Sequence, residues 1–242
     1  MVRGKFIFGG RSTEEFALRV EKFPAMISPA RRRQTKPIAG RNGNLHYQEN
    51  AFDNYIQPYQ CYFHGLQPAP IHAHAVKAWL SNSGAYQRLQ DSYDPEHYRL
   101  ATFAGPLDIE NIFNKFGRCV INFDCDPRSF LISGDTACAF DTPSALWNPT
   151  LFDALPTVTV YGSGAGTVTV GAVTVKIHEI TDQLILDCEN QNACRQVGDG
   201  APENKNLCIY APVFPVLQPG ENPISFTGDI TKIEITPRWW EL

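Results

Sequence analysis

The chain has 242 residues, 43% hydrophobic and 19% charged, which fits one large or two ordinary folded domains and excludes an intrinsically disordered polymer. A formal net charge of −4 argues against a dedicated nucleic-acid binder, whose balance is usually basic. No run approaches the ~18 consecutive apolar residues of a membrane helix. The opening residues 1–12 include Arg3 and Lys5 but no apolar core of about 7–15 residues, so no secretory leader is expected and production in a cytosol is.

Lys5-Phe6-Ile7-Phe8 reads as a short strand stopped by Gly9-Gly10. Ser12 can cap a brief helical turn, with Glu15 at capping-box spacing and Phe16 behind it. A second strand is expected from Leu18 to Phe23, closed by Pro24. Arg31-Arg32-Arg33 follows, with Lys36 and Arg41 nearby. No aromatic residues interleave these cations to stack on bases, so a solvated, charged strand or loop is the simpler account. A charged edge that meets acidic residues of a neighbouring copy is a further reading. Asn42-Gly43 carries a strong hairpin signal, both positions tolerating positive φ, and Asp53-Asn54 is another turn candidate. Tyr55 to Phe63 is aromatic and β-prone.

The stretch His72 to Tyr98 contains the one helical pattern that stands out. Val76, Trp79 and Leu80 fall at i, i+3 and i+4, Gly84 interrupts, Tyr86 and Leu89 resume the stripe for another turn, and Asp94-Pro95 stops it. Such a helix must lay its stripe on a sheet. His72 and His74, just before it, would share a metal only with a third ligand that nothing nearby supplies.

Tyr98 to Phe103 is a strand turned by Gly105-Pro106, and Cys119 to Cys125 alternates well, ending at Asp126-Pro127. Asp108 with Glu110, and Asp124 with Asp126, have the spacing of paired catalytic carboxylates. Alternation with apolar neighbours makes them the wet side of half-buried strands, and no nucleophile or metal motif accompanies them. Neither enzymatic activity nor a cofactor is expected. The seven cysteines (61, 119, 125, 138, 188, 194 and 208) lack the close C-x2-C spacing of zinc sites and read as free, mostly buried thiols.

From about Gly134 β-branched residues dominate. Thr157 to Val160 and Thr167 to Ile177 alternate as strands, with Gly162, Gly164 and Gly166 between them as a hairpin turn; a dinucleotide loop would have to open a helix. Leu184, Leu186 and Cys188 alternate on a further strand, and Gln191 to Lys205 reads as a polar loop. Strands are expected at Cys208 to Tyr210, at Ile224 to Phe226 and at Ile233 to Ile235. Regular short strands with turns between them describe a sandwich. Trp239 and Trp240 near the end imply a terminus docked in a core or against another subunit.

Several of these segments, in order, resemble the distal tail protein (Dit) family of bacteriophages with long, non-contractile tails, especially those of Gram-positive hosts. The resemblance rests on Phe6-Ile7-Phe8-Gly9-Gly10 with Glu15 to Val20, and on the basic stretch followed by Ile38-Ala39-Gly40-Arg41-Asn42-Gly43. Ala39 stands where many members carry proline. It continues through Trp79-Leu80, Gly84-Ala85-Tyr86, Leu89, Asp91 to Pro95 and Pro106 to Ile109, and closes on Ile233 to Leu242. The region 134–225 contributes least.

The resemblance implies a mainly β protein of two β-sandwich-like domains. Residues 1–135 would form a ring-forming domain with a single packed helix and a protruding hairpin. Residues 136–242 would form a galectin-like sandwich, the last strand at about 230–242 belonging to it or returning to the first domain. Six copies would ring the tail tip, joining the tail tube protein to the tail-associated lysin or tail fibre hub and to receptor-binding or accessory baseplate proteins. The ring would line the DNA exit channel, in the virion and without membrane insertion. Arg31, Arg32, Arg33, Arg41, Trp79, Trp239 and Trp240 are the expected ring and partner contacts. The alternative is a carbohydrate-binding module; against it, no tryptophan lies between 150 and 225 to stack on a sugar.

Overall fold

The computed structural model describes residues 4–64, 68–113 and 116–242; Arg3, part of the leader reading above, lies outside them. The fold is mainly β, with one α-helix among the described residues. It divides into two compact units, the first running to Ser129 and the second covering Phe130–Glu241.

The strands of the first unit are β1 (Phe6–Phe8), β2 (Arg11–Ser12), β3 (Leu18–Val20), β4 (Arg31–Pro37), β5 (Asn44–Phe52), β6 (Tyr55–His64), β7 (Gln87–Asp91), β8 (His97–Phe103), β9 (Ile109–Phe113) and β10 (Phe116–Leu131), whose last two residues enter the second unit. One sheet runs β2-β1-β7-β8-β10-β6-β3, with β9 added to β10. It curls until its ends nearly meet, the Val20 N–H donating to the Gly4 carbonyl at 3.0 Å. Its halves therefore face each other across an aromatic core: the Phe6 ring lies 4.9 Å from Tyr59 and 5.4 Å from Phe123. The turn after β2 has the capping box expected of it. Ser12 Oγ accepts from the Glu14 N–H at 3.2 Å and the Ser12 N–H donates to Glu15 Oε1 at 2.9 Å.

The helix α1 spans Ala69–Leu80, shorter at its C-terminal end than the sequence pattern predicts. Val76, Trp79 and Leu80 are buried as that pattern requires, but Tyr86 and Leu89 do not resume a helix. Leu89 sits in β7, in register with Phe8 of β1. The residues buried in β7 are Leu89 and Asp91, a two-residue period that a carboxylate at the second position conceals. His72 and His74 fall inside the helix rather than before it.

Two other expectations in this unit need correction. The turn between β4 and β5 covers residues 38–43; Gly40 and Gly43 take positive φ (76° and 84°) and Asn42 does not, so this is not a two-residue hairpin. Pro127 does not end its strand: β10 runs on to Leu131, since its register with β6 stops at Cys125 and Pro127 needs no ladder donor toward that neighbour.

The second unit contains β11 (Cys138–Phe140), β12 (Ser144–Asn148), β13 (Thr157–Val170), β14 (Val173–Asp187), β15 (Asn192–Arg195), β16 (Glu203–Asn204), β17 (Ile209–Tyr210), β18 (Gly220–Thr236) and β19 (Trp240–Glu241). Its sheet runs β11-β18-β13-β14-β15-β16, with β12 also on β18 and β17 on β14. The long strands β13, β14 and β18 each serve two half-sheets. One half holds β11 and β15, the other β12 and β17, and the apolar faces of both enclose a Val, Ile and Leu core.

This arrangement overturns the hairpin reading of Gly162, Gly164 and Gly166. They lie inside β13, at the corner where register shifts interrupt its pairing with β14 and β18; the true hairpin turn is at residues 171–172. The glycines are needed because the backbone of β18 passes so close. A Cβ on Gly162 would sit 2.3 Å from the Asp229 carbonyl oxygen, and one on Gly166 2.4 Å from that of Thr227. Gly166→Ala is expected to cost about 1–3 kcal/mol through overpacking, read as a lower urea midpoint. The 224–226 and 233–235 segments are accordingly one strand, β18, and the predicted polar loop 191–205 contains the β15–β16 hairpin.

All seven cysteines are free thiols; Cys61, Cys119, Cys125 and Cys188 are buried, and Cys138, Cys194 and Cys208 partly exposed. Burial pushes the Cys119 thiol up to about 11 and those of Cys125 and Cys188 up to about 12. Thiolate is the reacting form, so at pH 8 a disulfide reagent should label Cys138 and Cys208 quickly and the four buried thiols only after denaturation. Equal rates for all seven would contradict this packing.

Candidate assembly surfaces

The hairpin of β4 and β5 is a two-stranded sheet that pairs with no other strand among the described residues. Every residue of β4 is exposed, as are Ile38, Leu45 and Tyr47. An isolated two-stranded hairpin is marginal in water, so such an element ordinarily needs a further surface to lie on. The sequence reading of a charged, solvated strand holds for its side chains. Between residues 31 and 52 five Arg or Lys face one Glu. Arg32 Nε donates to Asp53 Oδ1 at 2.9 Å, a hydrogen bond that holds the guanidinium above its ordinary pKa. Arg31 lies 4.7 Å from the Phe52 ring centroid. Arg33, Lys36 and Arg41 have no ion-pair partner among the described residues.

Trp79 occupies the opposite kind of environment. It is 7% exposed, stacks on Phe16 with centroids 4.4 Å apart, and donates its indole N–H to the Phe8 carbonyl at 3.2 Å. It joins α1 to β1 and to the capped turn. Trp239 is buried in the core of the second unit, while the Trp240 ring stacks on Phe152 at 4.4 Å and its N–H donates to the Asp153 carbonyl at 2.8 Å. The sequence candidates therefore separate: the arginines are surface groups and Trp79 and Trp239 are interior ones.

The paired carboxylates also separate. Asp126 binds Arg128 through Oδ1 at 2.9 Å, and Asp124 accepts from Asn54 at 3.0 Å. Asp108 and Glu110 instead stand with Glu21 around an open concavity of about 420 Å³, with Arg118, Gln60 and Val120. Arg118 is tied to Glu21 at 3.0 Å, leaving Asp108 and Glu110 without ion-pair partners among the described residues. Of the two histidines, His72 lies 5.7 Å from the Phe63 ring and His74 is exposed.

A polar cluster deeper in the first unit was not legible in the sequence. The buried Asp91 accepts from Tyr59 Oη at 2.7 Å and from the Tyr93 and Asp94 N–H groups at 2.9 and 3.0 Å, with Arg99 3.7 Å away. Burial, then the Asp91 charge, pushes the Tyr59 phenol well above its usual value. Burial alone would lower the Arg99 guanidinium, but Tyr55, Tyr59, Asp91 and Asp94 carry it upward. This cluster floors a cavity of about 100 Å³ roofed by Phe23 and Met26.

The outer face of one half-sheet of the second unit is equally unforeseen. Trp147 is 66% exposed on the edge strand β12, opposite Glu221 of β18. It stands just before the 150–225 stretch that lacks tryptophan, inside the unit that begins at Phe130. Beside it runs a hydroxyl face, Ser225, Thr169 and Thr174 in one row and Thr227 and Thr167 in the next, followed by Lys176 and Tyr210.

These features define a mainly β protein of two sandwich-like units, the first carrying one helix and a free-standing hairpin. No family model matches the chain, and no curated protein sequence does. Among solved structures it is similar to "SPP1 Dit (gp 19.1) Protein, a Paradigm of Hub Adsorption Apparatus in Gram-positive Infecting Phages", with a TM-score of 0.76, 99% of each chain covered and 11% identity. The chain has the fold of that protein, as the resemblance implied.

Proposed function

We propose that this chain is a structural hub component of a phage tail tip, of the distal tail protein type. Similarity of fold over 99% of both chains, through both units and in the same order, is the observation that carries this reading. Six copies form a ring through the first unit; the ring joins the tail tube to the baseplate or tail fibre proteins and surrounds the DNA exit path. The second unit is a galectin-like arm that bears receptor-binding or accessory proteins, and the chain works in the virion without catalysing a reaction. Arg33 and Arg41, unpaired and exposed on the hairpin, suit contact with another subunit. Trp79 and Trp239 support their units from within. Light scattering at increasing concentration tests this: the reading requires a species near six times the 27.0 kDa chain mass, and monomer alone throughout would refute it.

A second reading, host polysaccharide recognition by the second unit, is favoured by Trp147 beside the hydroxyl face, because a sugar ring stacks on an exposed aromatic while its hydroxyls bond to polar neighbours. Calorimetric titration with cell-wall polysaccharide should then give heat that Trp147→Ala abolishes. No heat from the wild type at millimolar ligand would remove this reading.

A further inference from the structure

The first unit carries two surfaces of opposite charge that its own chain leaves uncompensated. One is the hairpin, where Arg33, Lys36 and Arg41 have no ion-pair partner among the described residues. The other is the concavity of Glu21, Asp108 and Glu110. Arg118 pairs with Glu21 at 3.0 Å; it lies opposite Glu110 in the β9–β10 register but makes no ion pair with it, and Asp108 and Glu110 both line the concavity. No hairpin residue lines the concavity within the chain.

We propose that the β4–β5 hairpin of one copy docks on the Glu21, Asp108 and Glu110 concavity of the next copy through the face that carries Lys36, Leu45 and Tyr47, seating Lys36 against the two carboxylates. This rests on the ring reading and names the contact within it. The occupant is a second copy because the chain itself supplies the complementary charge, on an element that lacks a covering surface. Val120, 45% exposed at the concavity, and Leu45 and Tyr47, 52% and 67% exposed on the hairpin, provide apolar area to bury around the ion pairs. The two faces differ, so the contact is heterologous: it joins copies head to tail and closes into a ring when the rotation permits. The carboxylate pair that looked like a candidate catalytic dyad thereby becomes a receptor for a neighbour's cations.

Charge reversal tests the contact. Lys36→Glu, and separately Asp108→Lys with Glu110→Lys, should each weaken assembly at least about tenfold in light scattering at low salt. An equimolar mixture of the two variants should pair the reversed hairpin with the reversed concavity and recover mixed assemblies, as should a chain carrying all three changes. Full-size rings from both variants would overturn the inference and leave the ring reading intact, whereas a monomeric wild type would overturn both. Carbodiimide coupling of the wild-type ring, followed by peptide mass spectrometry, gives a check that involves no substitution. It should join Lys36 to Asp108, Glu110 or Glu21, and links from Lys36 only to other carboxylates would reject the contact.

Discussion

Trp79→Ala is expected to lower the stability of the first unit by about 3–5 kcal/mol, the usual cost of removing a large buried aromatic. The residue is 7% exposed and joins three elements, stacking on Phe16 at 4.4 Å, lying 5.8 Å from Phe6, and bonding through its N–H to the Phe8 carbonyl. Truncation leaves a cavity and an unpaired carbonyl together, so the loss should exceed that of an aliphatic deletion such as Val76→Ala. Urea unfolding followed by tryptophan fluorescence and circular dichroism measures it. Assembly should fall in parallel, because the helix and β1 lose their common anchor. An unchanged midpoint would mean that Trp79 does not hold α1 on the sheet.

Asp91→Ala should be of similar size, about 3–5 kcal/mol, for a different reason. Its carboxylate is the common acceptor for Tyr59 Oη and for the Tyr93 and Asp94 N–H groups, and one of two carboxylates, with Asp94, that lie 3.7 Å from the half-buried Arg99. Without it those donors lose their acceptor and the guanidinium loses much of its compensation. Asp91→Asn keeps an acceptor oxygen for the turn and should cost less. If Ala and Asn behave alike in thermal unfolding, the loss of the charge, which both variants share, rather than the loss of the backbone contacts carries the effect.

The legible parts of the chain were those where local chemistry and tertiary packing agree. The Ser12 and Glu15 cap, the Val76, Trp79 and Leu80 stripe, and the Cys119 to Cys125 alternation all appear as expected, since each is set by a period or a short hydrogen bond. The misread parts are those where a distant strand sets the conformation. Gly162 to Gly166 carry every local mark of a turn, but the close backbone of β18 makes them the bend in a continuous strand. Leu89 fits a helical stripe in the sequence because Asp91, inward-facing beside it, hides a two-residue period; the burial of Asp91 depends on its bond to Tyr59, 32 residues away. The basic stretch was visible, but the neighbouring position of Glu21, Asp108 and Glu110 follows from β3, β9 and β10 coming together around one concavity. Trp147 precedes residue 150 although it belongs to the expected 136–242 domain, and its exposure follows from the pairing of β12 with β18 at the sheet edge, which its local sequence does not signal.

The chain shares the fold of SPP1 Dit, and the proposal that most needs testing is that its copies close into a ring. Electron microscopy of the purified protein at several concentrations addresses it most directly. The account predicts hollow particles with six-fold symmetry and a central opening wide enough for duplex DNA. Isolated monomers at every concentration, or closed particles with no opening, would contradict it.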